Sequence, residues 1–409
     1  MPVQSLLALP ARYQPWRSRH ARLILRELVP RAPRAAADPL EHLRQAIHWL
    51  ELAQDVRNDK PDAGGVSAGW GFERGWLPSY PETSGYIIET FIAASHVLDR
   101  PDLSARANRI IDWELSLQGA DGAFPGHFGE AGSHPVIFNT GQIMAGMLAG
   151  SLQLGRPECL EAAVRAGHWM ARQQDPDGCW RKFEHNSVPH TYNTRATWAL
   201  LATALASGDV VLEAAAVRNL DWALTQQRES GWFANNAFLT GRSPFTHTIA
   251  YAIRGFLECG VLLAREDYVN AALKAATALA RVQRADGWLA GTYDERWTPT
   301  ATYCCLTGVA QMSIDWQRLA QETGRTDLLD HARRGLAFVK RHQHLRDADP
   351  TVRGAIAGSA PIWGAYERFL FPNWAAKFFA DAVMMDTADV RVPPPLASSV
   401  QVSGARTNV

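Results

Sequence analysis

The sequence predicts an all-α protein in which six helical hairpins close into a toroid, an (α/α)6 arrangement with inner and outer rings of helices. The first observation is a repeat of strongly apolar segments, each opened by a proline. The prolines stand 54 or 55 residues apart, with a last interval of 73, at Pro81, Pro135, Pro189, Pro244, Pro299 and Pro372. A repeat of this length indicates stacked units that cannot bury their apolar faces alone. The second observation is helical spacing of apolar residues in twelve segments, with no alternation typical of strands.

The outer ring is predicted from six amphipathic segments that carry charged residues on one face. They are residues 40–56, 103–118, 159–174, 210–227, 266–283 and 326–343. The inner ring is predicted from six segments with few charges, which we expect to be buried all round. They are residues 83–98, 137–154, 192–207, 246–263, 300–320 and 373–386.

The loops that lead from outer to inner helices are long, whereas those that lead from inner to outer helices are short, as at residues 99–102. Long loops on one face often carry function. The six inner helices begin at that face, and each helix N-terminus carries roughly half a positive elementary charge. The sequence therefore predicts a central cavity that favours an anionic or polyhydroxyl ligand.

The repeats fill most of the chain, so we expect one toroid domain over residues 39–388. Residues 1–38 contain seven arginines and are expected to form a basic, solvated arm, with contact to a membrane surface as the alternative. Residues 389–409 are rich in Pro, Ser and Gly and are expected to be disordered. The longest apolar run near the N-terminus, residues 6–9, is too short for a signal peptide or a membrane span.

Composition excludes some partners. Lys plus Arg and Asp plus Glu both total 41, so nothing indicates bulk attraction to nucleic acid. The five cysteines are odd in number and two are adjacent, which argues against a disulfide framework and predicts a reducing, cytoplasmic location. The histidines and cysteines lack the spacing of metal ligands, so neither a metal nor another cofactor is expected.

Polar, aromatic and titratable side chains follow the repeated prolines, where the first turns of inner helices should face the cavity mouth. Such side chains stack on sugar rings and bond hydroxyl or carboxylate groups. The predicted substrate-binding residues are Asn193, Arg195, Asn139, Gln142, His247, Arg254, Tyr86, Glu82, Tyr366, Asn373 and Lys377. The preceding loops add further polar residues, among them Tyr80, His127, His185 and Asn186.

The densest cluster, residues 184–195, favours proton transfer next to a carboxylate, which needs a base and a group that neutralises the carboxylate. We expect Tyr192 or His190 to transfer the proton while Asn193 and Arg195 hold the carboxylate. Return of the proton to the sugar carbon is epimerisation, and expulsion of the glycosidic oxygen is elimination.

Three alternatives stay open. Hydrolysis needs two carboxyl groups at the mouth, for which Glu82, Asp294 and Glu367 are candidates. Terpenoid cyclisation would need an acidic cavity lined with aromatic residues. A toroid that binds a glycan without catalysis is the third.

The segment from Gln174 through Gly178 to Trp180 resembles the glutamine and tryptophan repeat of the squalene-cyclase and prenyltransferase toroid superfamily. A class II cyclase would carry an Asp-x-Asp-Asp acid, and residues 347–350 lack its final Asp. The zinc ligands of protein prenyltransferases are also unrecognisable in this sequence.

Residues 138–144 and 171–178 resemble the helical domain of glucuronyl 5-epimerases, and the composition of the mouth resembles that of toroid polysaccharide lyases. In those epimerases tyrosines serve as acid and base, so the resemblance implies Tyr192, Tyr251 and Tyr303 as catalytic candidates. Residues 358–377 are similar to toroid proteins that accompany bacterial exopolysaccharide synthesis. The sequence hypothesis is therefore a lyase or 5-epimerase of exopolysaccharide metabolism that acts on a uronate-containing glycan, free or lipid-linked.

Overall fold

The computed structural model describes residues 12–29, 38–128 and 133–387. Thirteen α-helices lie in these ranges. They are α1 (Ser18–Leu28), α2 (Pro39–Asp55), α3 (Pro81–Val97), α4 (Asp102–Leu117), α5 (Ile137–Leu154), α6 (Pro157–Gln173), α7 (Thr194–Ser207), α8 (Val210–Thr225), α9 (Thr246–Leu263), α10 (Glu266–Val282), α11 (Leu306–Thr323), α12 (Asp327–His342) and α13 (Asn373–Asp386). Two 3-10 turns, His185–Ser187 and Thr191–Asn193, precede α7.

The inner ring consists of α3, α5, α7, α9, α11 and α13, and each of these helices packs against the next. Helix α13 also contacts α3, which closes the ring, and α2 packs against α13 to complete the sixth hairpin. The remaining outer helices, α4, α6, α8, α10 and α12, pack against the inner helices that precede them. The predicted all-α (α/α)6 toroid is confirmed.

Glycines allow the inner helices to approach closely. A methyl group on Gly85 of α3 would lie 2.6 Å from Cα of Ile143 in α5. On the other side of α5, a methyl group on Gly141 would clash with Ala196 of α7. Small residues at these contacts permit the dense packing that a closed inner ring requires.

The repeated glutamines connect neighbouring outer helices. Gln118 donates from Nε2 to the carbonyl of Gly122 at 3.0 Å and to that of Ala162 in α6 at 2.8 Å. Gln174 repeats the pattern with Gly178 at 3.0 Å and Ala215 in α8 at 2.9 Å. Each glutamine donates hydrogen bonds to a carbonyl of its own loop and to a carbonyl of the next unit. The glutamine therefore recurs because it connects neighbouring units.

Five short strands lie in the long loops at the mouth face. Strands β1 (Gly69–Gly71), β2 (Gly75–Trp76) and β5 (Leu370–Pro372) form an antiparallel sheet in the order β2-β1-β5, with Trp70 opposite Phe371. Strands β3 (Cys304–Cys305) and β4 (Ser359–Ala360) form a second antiparallel pair. The first sheet joins the first and last units of the repeat.

Two predicted inner helices begin later than expected. Helix α11 begins at Leu306 rather than at residue 300, because Cys304 and Cys305 are extended and pair with residues 359–360. Helix α7 begins at Thr194, after a 3-10 turn over residues 191–193. Tyr303 therefore lies in a loop, and its predicted place in the first turn of an inner helix was wrong.

The N-terminal arm is not a solvated tail throughout. Residues 18–28 form α1, which packs on the mouth loops, so the expectation of a tail does not hold there. Residues 1–11 and 30–37 and the predicted disordered tail over residues 389–409 lie outside the described residues, and the domain boundaries stay predictions. In the described ranges no helix has both the length and the apolar character to cross a membrane.

All five cysteines are buried, and none forms a disulfide.

Candidate active site

A cavity of about 300 Å³ lies at the mouth of the toroid, where inner helices begin. Its walls come from the first turns of α3, α5, α9 and α13 and from the loops before α5, α7, α9 and α13. The lining residues are Tyr80, Glu82, Thr83, Tyr86, His127, Phe138, His185, Asn186, Tyr192, Phe238, His247, Tyr251, Tyr366, Glu367 and Trp374. The cavity thus combines aromatic, hydroxyl and acidic groups in one small volume.

Two carboxyl groups line this cavity. Glu82 lies in the first turn of α3, and the hydroxyl of Tyr80 donates to its Oε2 at 2.8 Å. Burial raises the pKa of Glu82 to about 7, against the lowering effect of the Tyr80 hydrogen bond. Burial also raises the pKa of Glu367 to about 7. Neither carboxyl forms an ion pair with the described residues, so no cation offsets the effect of burial.

Five of the residues that line the cavity are tyrosines. Burial raises the pKa of Tyr86, Tyr192, Tyr251 and Tyr366 well above its usual value of 10. Nearby acidic groups act in the same direction, since Glu184 and Glu82 further raise the pKa of Tyr192. These hydroxyls are therefore neutral at physiological pH and are better suited to donate a proton or hydrogen bond than to act as bases.

Two of the predicted histidines, His247 and His190, lie at different places relative to the cavity. His247 lines the cavity and packs against Tyr251 with ring centroids 4.4 Å apart and ring planes tilted by 56°. Its Nδ1 donates to Gln311 at 2.7 Å. Burial lowers its pKa to about 4, so its imidazole is neutral. His190 lies outside the lining; it stacks on Tyr192 at 4.4 Å, and its Nε2 hydrogen-bonds to the His185 carbonyl. His190 thus orients Tyr192 rather than facing the cavity.

Three predicted amides support the site from behind. Asn139 donates to the Tyr80 hydroxyl at 3.4 Å, and Asn193 donates to Glu184 at 2.8 Å. Asn373 donates to the Ser67 carbonyl at 2.9 Å. Their amide nitrogens are thus occupied by protein partners, whereas their side-chain oxygens are buried without a hydrogen-bond partner among the described residues. None of the three is among the residues that line the cavity, which differs from the expectation.

The predicted cations lie deeper along the axis. Arg254 forms an ion pair with Glu258 at 2.7 Å, which Arg318 also contacts at 2.9 Å. Arg195 is buried with its guanidinium 4.4 Å from the Trp198 ring. No Arg or Lys is among the described residues that line the cavity.

Three further predicted residues also lie away from the lining. Lys377 pairs with Asp381 at 2.5 Å, below the Tyr86 ring. Gln142 is buried without a hydrogen-bond partner for its amide among the described residues. Tyr303 packs against Gly291 and Gly364 in the loops.

Of the three acidic candidates, the structure brings Glu82 and Glu367 together and leaves Asp294 out. The Asp294 carboxylate accepts backbone hydrogen bonds from Arg296 and Thr298 at 3.0 and 2.8 Å, so it stabilises a turn. The loop residues Tyr80, His127, His185 and Asn186 do line the cavity. The cavity lining also includes four residues that were not predicted, Thr83, Phe138, Phe238 and Trp374. All but Phe238 directly neighbour a predicted residue.

Comparisons with known proteins agree with this architecture. The family model of the squalene-hopene cyclase C-terminal domain matches residues 78–270. Among curated proteins no sequence matches the chain. The resemblance to the toroid superfamily is thereby confirmed at the level of the repeats.

Several solved structures share the fold. An unsaturated glucuronyl hydrolase from Bacillus sp. GL1, responsible for glycosaminoglycan degradation, is 13% identical, covering 85% of this chain and 97% of its own, with a TM-score of 0.66. A sugar epimerase from a ruminal bacterium is 15% identical, covering 84% and 98%, with a TM-score of 0.66. The cellobiose 2-epimerase from Bacillus thermoamylovorans is 12% identical, covering 84% and 97%, with a TM-score of 0.65. At these identities the likeness establishes the fold.

Proposed function

We propose that this chain is a carbohydrate-active enzyme that exchanges protons with a sugar bound in the mouth cavity through Glu82 and Glu367. One observation carries the proposal: two carboxyl groups, each with its pKa raised to about 7, line the same cavity. A carboxyl group with a pKa near the working pH is suited both to donate and to accept a proton. Their unpaired state favours a chemical over a purely structural role.

The rest of the cavity suits a sugar. Trp374 and Phe238 supply aromatic faces that stack on pyranose rings, while Thr83 and Asn186 supply hydrogen-bonding groups. A volume of about 300 Å³ is at the small end of ligand sites, which favours a terminal sugar unit over a long stretch of glycan. Glucuronyl hydrolases and sugar epimerases on the same fold support this substrate class.

Hydrolysis of a glycosidic bond is the reaction that two carboxyl groups in one cavity support best. The protonated member gives its proton to the leaving glycosidic oxygen. The ionised member either attacks the anomeric carbon or takes a proton from water that attacks it. In the first route water then displaces the attacking carboxylate from the anomeric carbon, and the carboxylate that gave up its proton takes one from this water. Both routes end with the glycosidic bond replaced by two hydroxyl groups.

Proton abstraction next to a uronate carboxylate, as in a lyase or 5-epimerase, is the second candidate. Neutral His247 and the protonated Tyr251, 4.4 Å apart between ring centroids, supply a base and an acid at one wall. With no Arg or Lys on the described lining, hydrogen-bond donors would have to stabilise the substrate carboxylate. A lipid-linked substrate and a role in exopolysaccharide metabolism belong to this candidate and stay predictions.

The test is incubation of the full chain with neutral and uronate-containing oligosaccharides in deuterated water. New reducing ends without ultraviolet absorbance indicate hydrolysis. Absorbance of an unsaturated uronate indicates a lyase, and carbon-bound deuterium without absorbance indicates an epimerase. If none of these signals arises from any glycan, the proposal of a carbohydrate-active enzyme is overturned.

The variants Glu82→Gln and Glu367→Gln identify the acid and the base. Each should lower kcat by roughly a hundredfold to ten-thousandfold, as expected for the loss of a general acid or base. Glu161→Gln, on the exposed surface of α6, is the matched control and should leave kcat unchanged. Full activity of both cavity variants would remove these carboxyl groups from the mechanism.

A further inference from the structure

Helix α1 packs on the toroid through apolar and polar side chains. Leu23 is buried in the hydrophobic core, and Ile24 packs against that core. The His20 ring stacks on Phe72 with centroids 4.2 Å apart. Arg26 pairs with Asp347 at 2.6 Å, and Arg19 donates to Asp349 at 3.0 Å.

The solvent side of the same segment carries large apolar residues. Trp16, Leu25, Leu28 and Val29 are 66%, 60%, 63% and 64% exposed, and we name these four residues the α1 apolar face. They are half of the eight large hydrophobic residues that are exposed in the described chain, yet they lie within 14 consecutive positions. Single exposed apolar residues are ordinary, whereas a local group of them indicates an interaction surface.

The segment that carries this face is rich in arginine. Residues 12–29 contain five arginines and one glutamate. Three of the arginines pair with carboxylates of the toroid, Arg12 with Glu73, Arg19 with Asp349 and Arg26 with Asp347. Arg17 and Arg22 are exposed and have no carboxylate partner among the described residues. Exposed arginines beside Trp and Leu are typical of helices that lie on anionic membrane surfaces, where the rings and aliphatic groups enter the interface.

We propose that the α1 apolar face docks the protein on an anionic lipid surface. The positive charge of Arg17 and Arg22 favours this occupant over a second copy of the chain, whose matching face would carry the same charge. Tyr13, just before α1, stacks near Phe369 at 4.7 Å, in the loop that brings Glu367 to the cavity. A docked α1 therefore holds the mouth loops close to the lipid.

The test is flotation of the full chain with vesicles of phosphatidylcholine alone and of phosphatidylcholine mixed with phosphatidylglycerol. Binding is expected to the mixed vesicles and to decline as salt is added. The double variant Leu25→Asp, Leu28→Asp should lose binding about tenfold or more, because two apolar groups leave the interface. Val210→Asp, Val211→Asp is the matched control, since both valines are exposed on α8, 72% and 55%.

A second pair of substitutions separates charge from apolar contact. Arg17→Gln and Arg22→Gln should each weaken binding to anionic vesicles about fivefold. Failure of the parent to float with anionic vesicles, or equal flotation of the Leu25 and Leu28 double variant, overturns the proposal. Self-association that the double variant abolishes, in the absence of vesicle binding, would instead assign the face to a second copy. Circular dichroism of each variant confirms that the toroid is intact.

Discussion

Burial has opposite outcomes for the carboxyl groups of Glu82 and Glu367 at the mouth and for that of Glu258 deeper along the toroid axis. At the mouth, Glu82 and Glu367 lack cationic partners, and burial raises the pKa of each to about 7. Deeper along the axis, burial also acts to raise the pKa of Glu258, but the attraction of Arg254 and Arg318 outweighs it and leaves the pKa below its ordinary value. Glu258 is thereby held as an anion that stabilises structure. Glu82 and Glu367 keep an exchangeable proton and are available for chemistry.

The same substitution at Glu258 and at Glu82 should therefore have very different effects on stability. Glu258→Gln removes the anion between two guanidinium groups and should lower the free energy of unfolding by about 3–5 kcal/mol. Glu82→Gln replaces an unpaired carboxyl with an amide that still accepts from Tyr80, so a change within about 1 kcal/mol is expected. Denaturant unfolding at neutral pH measures both. Equal losses for the two variants would show that the two carboxyl groups do not differ in this way.

The pH dependence of stability offers a second test of the mouth carboxyl groups. Because the pKa values of Glu82 and Glu367 are about 7 in the folded state and 4.5 ordinarily, the folded state keeps protons that the unfolded state has lost. Their contribution is fully present below pH 4.5 and is lost as the pH rises through about 7, by roughly 3 kcal/mol each. Glu258 acts in the opposite sense, since its contribution is lost as the pH falls.

The measurement compares the parent with the double variant Glu82→Gln, Glu367→Gln by denaturant unfolding across this pH interval. The difference between the two curves isolates these groups from the other titrating residues of the axis. The double variant should lose less stability as the pH rises. Parallel curves for parent and variant would contradict the raised pKa values.

The sequence was sufficient for the fold because the repeat is local: each unit carries its own proline, apolar helix and glutamine. Gln118 and Gln174 recur because each must bridge to the next outer helix. The start of α11 was not predictable in this way. It depends on pairing between Cys304 and Ala360, which are distant in sequence and carry no strand periodicity.

The sequence predicted the residues that line the cavity near the start of each inner helix, but not the depth at which the cavity ends. Tyr192 and Tyr251 line the cavity, whereas Arg195 and Arg254, each three residues further along the chain, do not. Three residues of α-helix correspond to about 4.5 Å along the axis, which is enough to move a side chain from the mouth to the depth of the ion pair of Arg254 with Glu258. Spacing in the sequence indicates which residues of an inner helix face the toroid axis. The depth at which the cavity ends depends on how the loops and the aromatic side chains pack.

Tyr80→Phe should produce a smaller and more specific effect at the mouth. The Tyr80 hydroxyl donates to Glu82 and lowers the pKa of that carboxyl, so its removal should raise the Glu82 pKa by about one unit or more. The limb of the pH profile of kcat that reports the titration of Glu82 should shift to higher pH by that amount. Loss of activity without movement of the profile would indicate a role for Tyr80 in substrate contact instead.

The smallest effect is expected from Tyr303→Phe. The resemblance to 5-epimerases implies a catalytic role for Tyr303, yet its ring packs over Gly291 in the loop before β3 and over Gly364 in the loop after β4. Removing its hydroxyl should change kcat by less than about twofold, within the range of a surface substitution. Tyr251→Phe is the comparison, because Tyr251 lines the cavity beside His247. If the two variants lose activity equally, Tyr303 takes part in catalysis although it does not line the cavity. The active site would then extend beyond the mouth cavity.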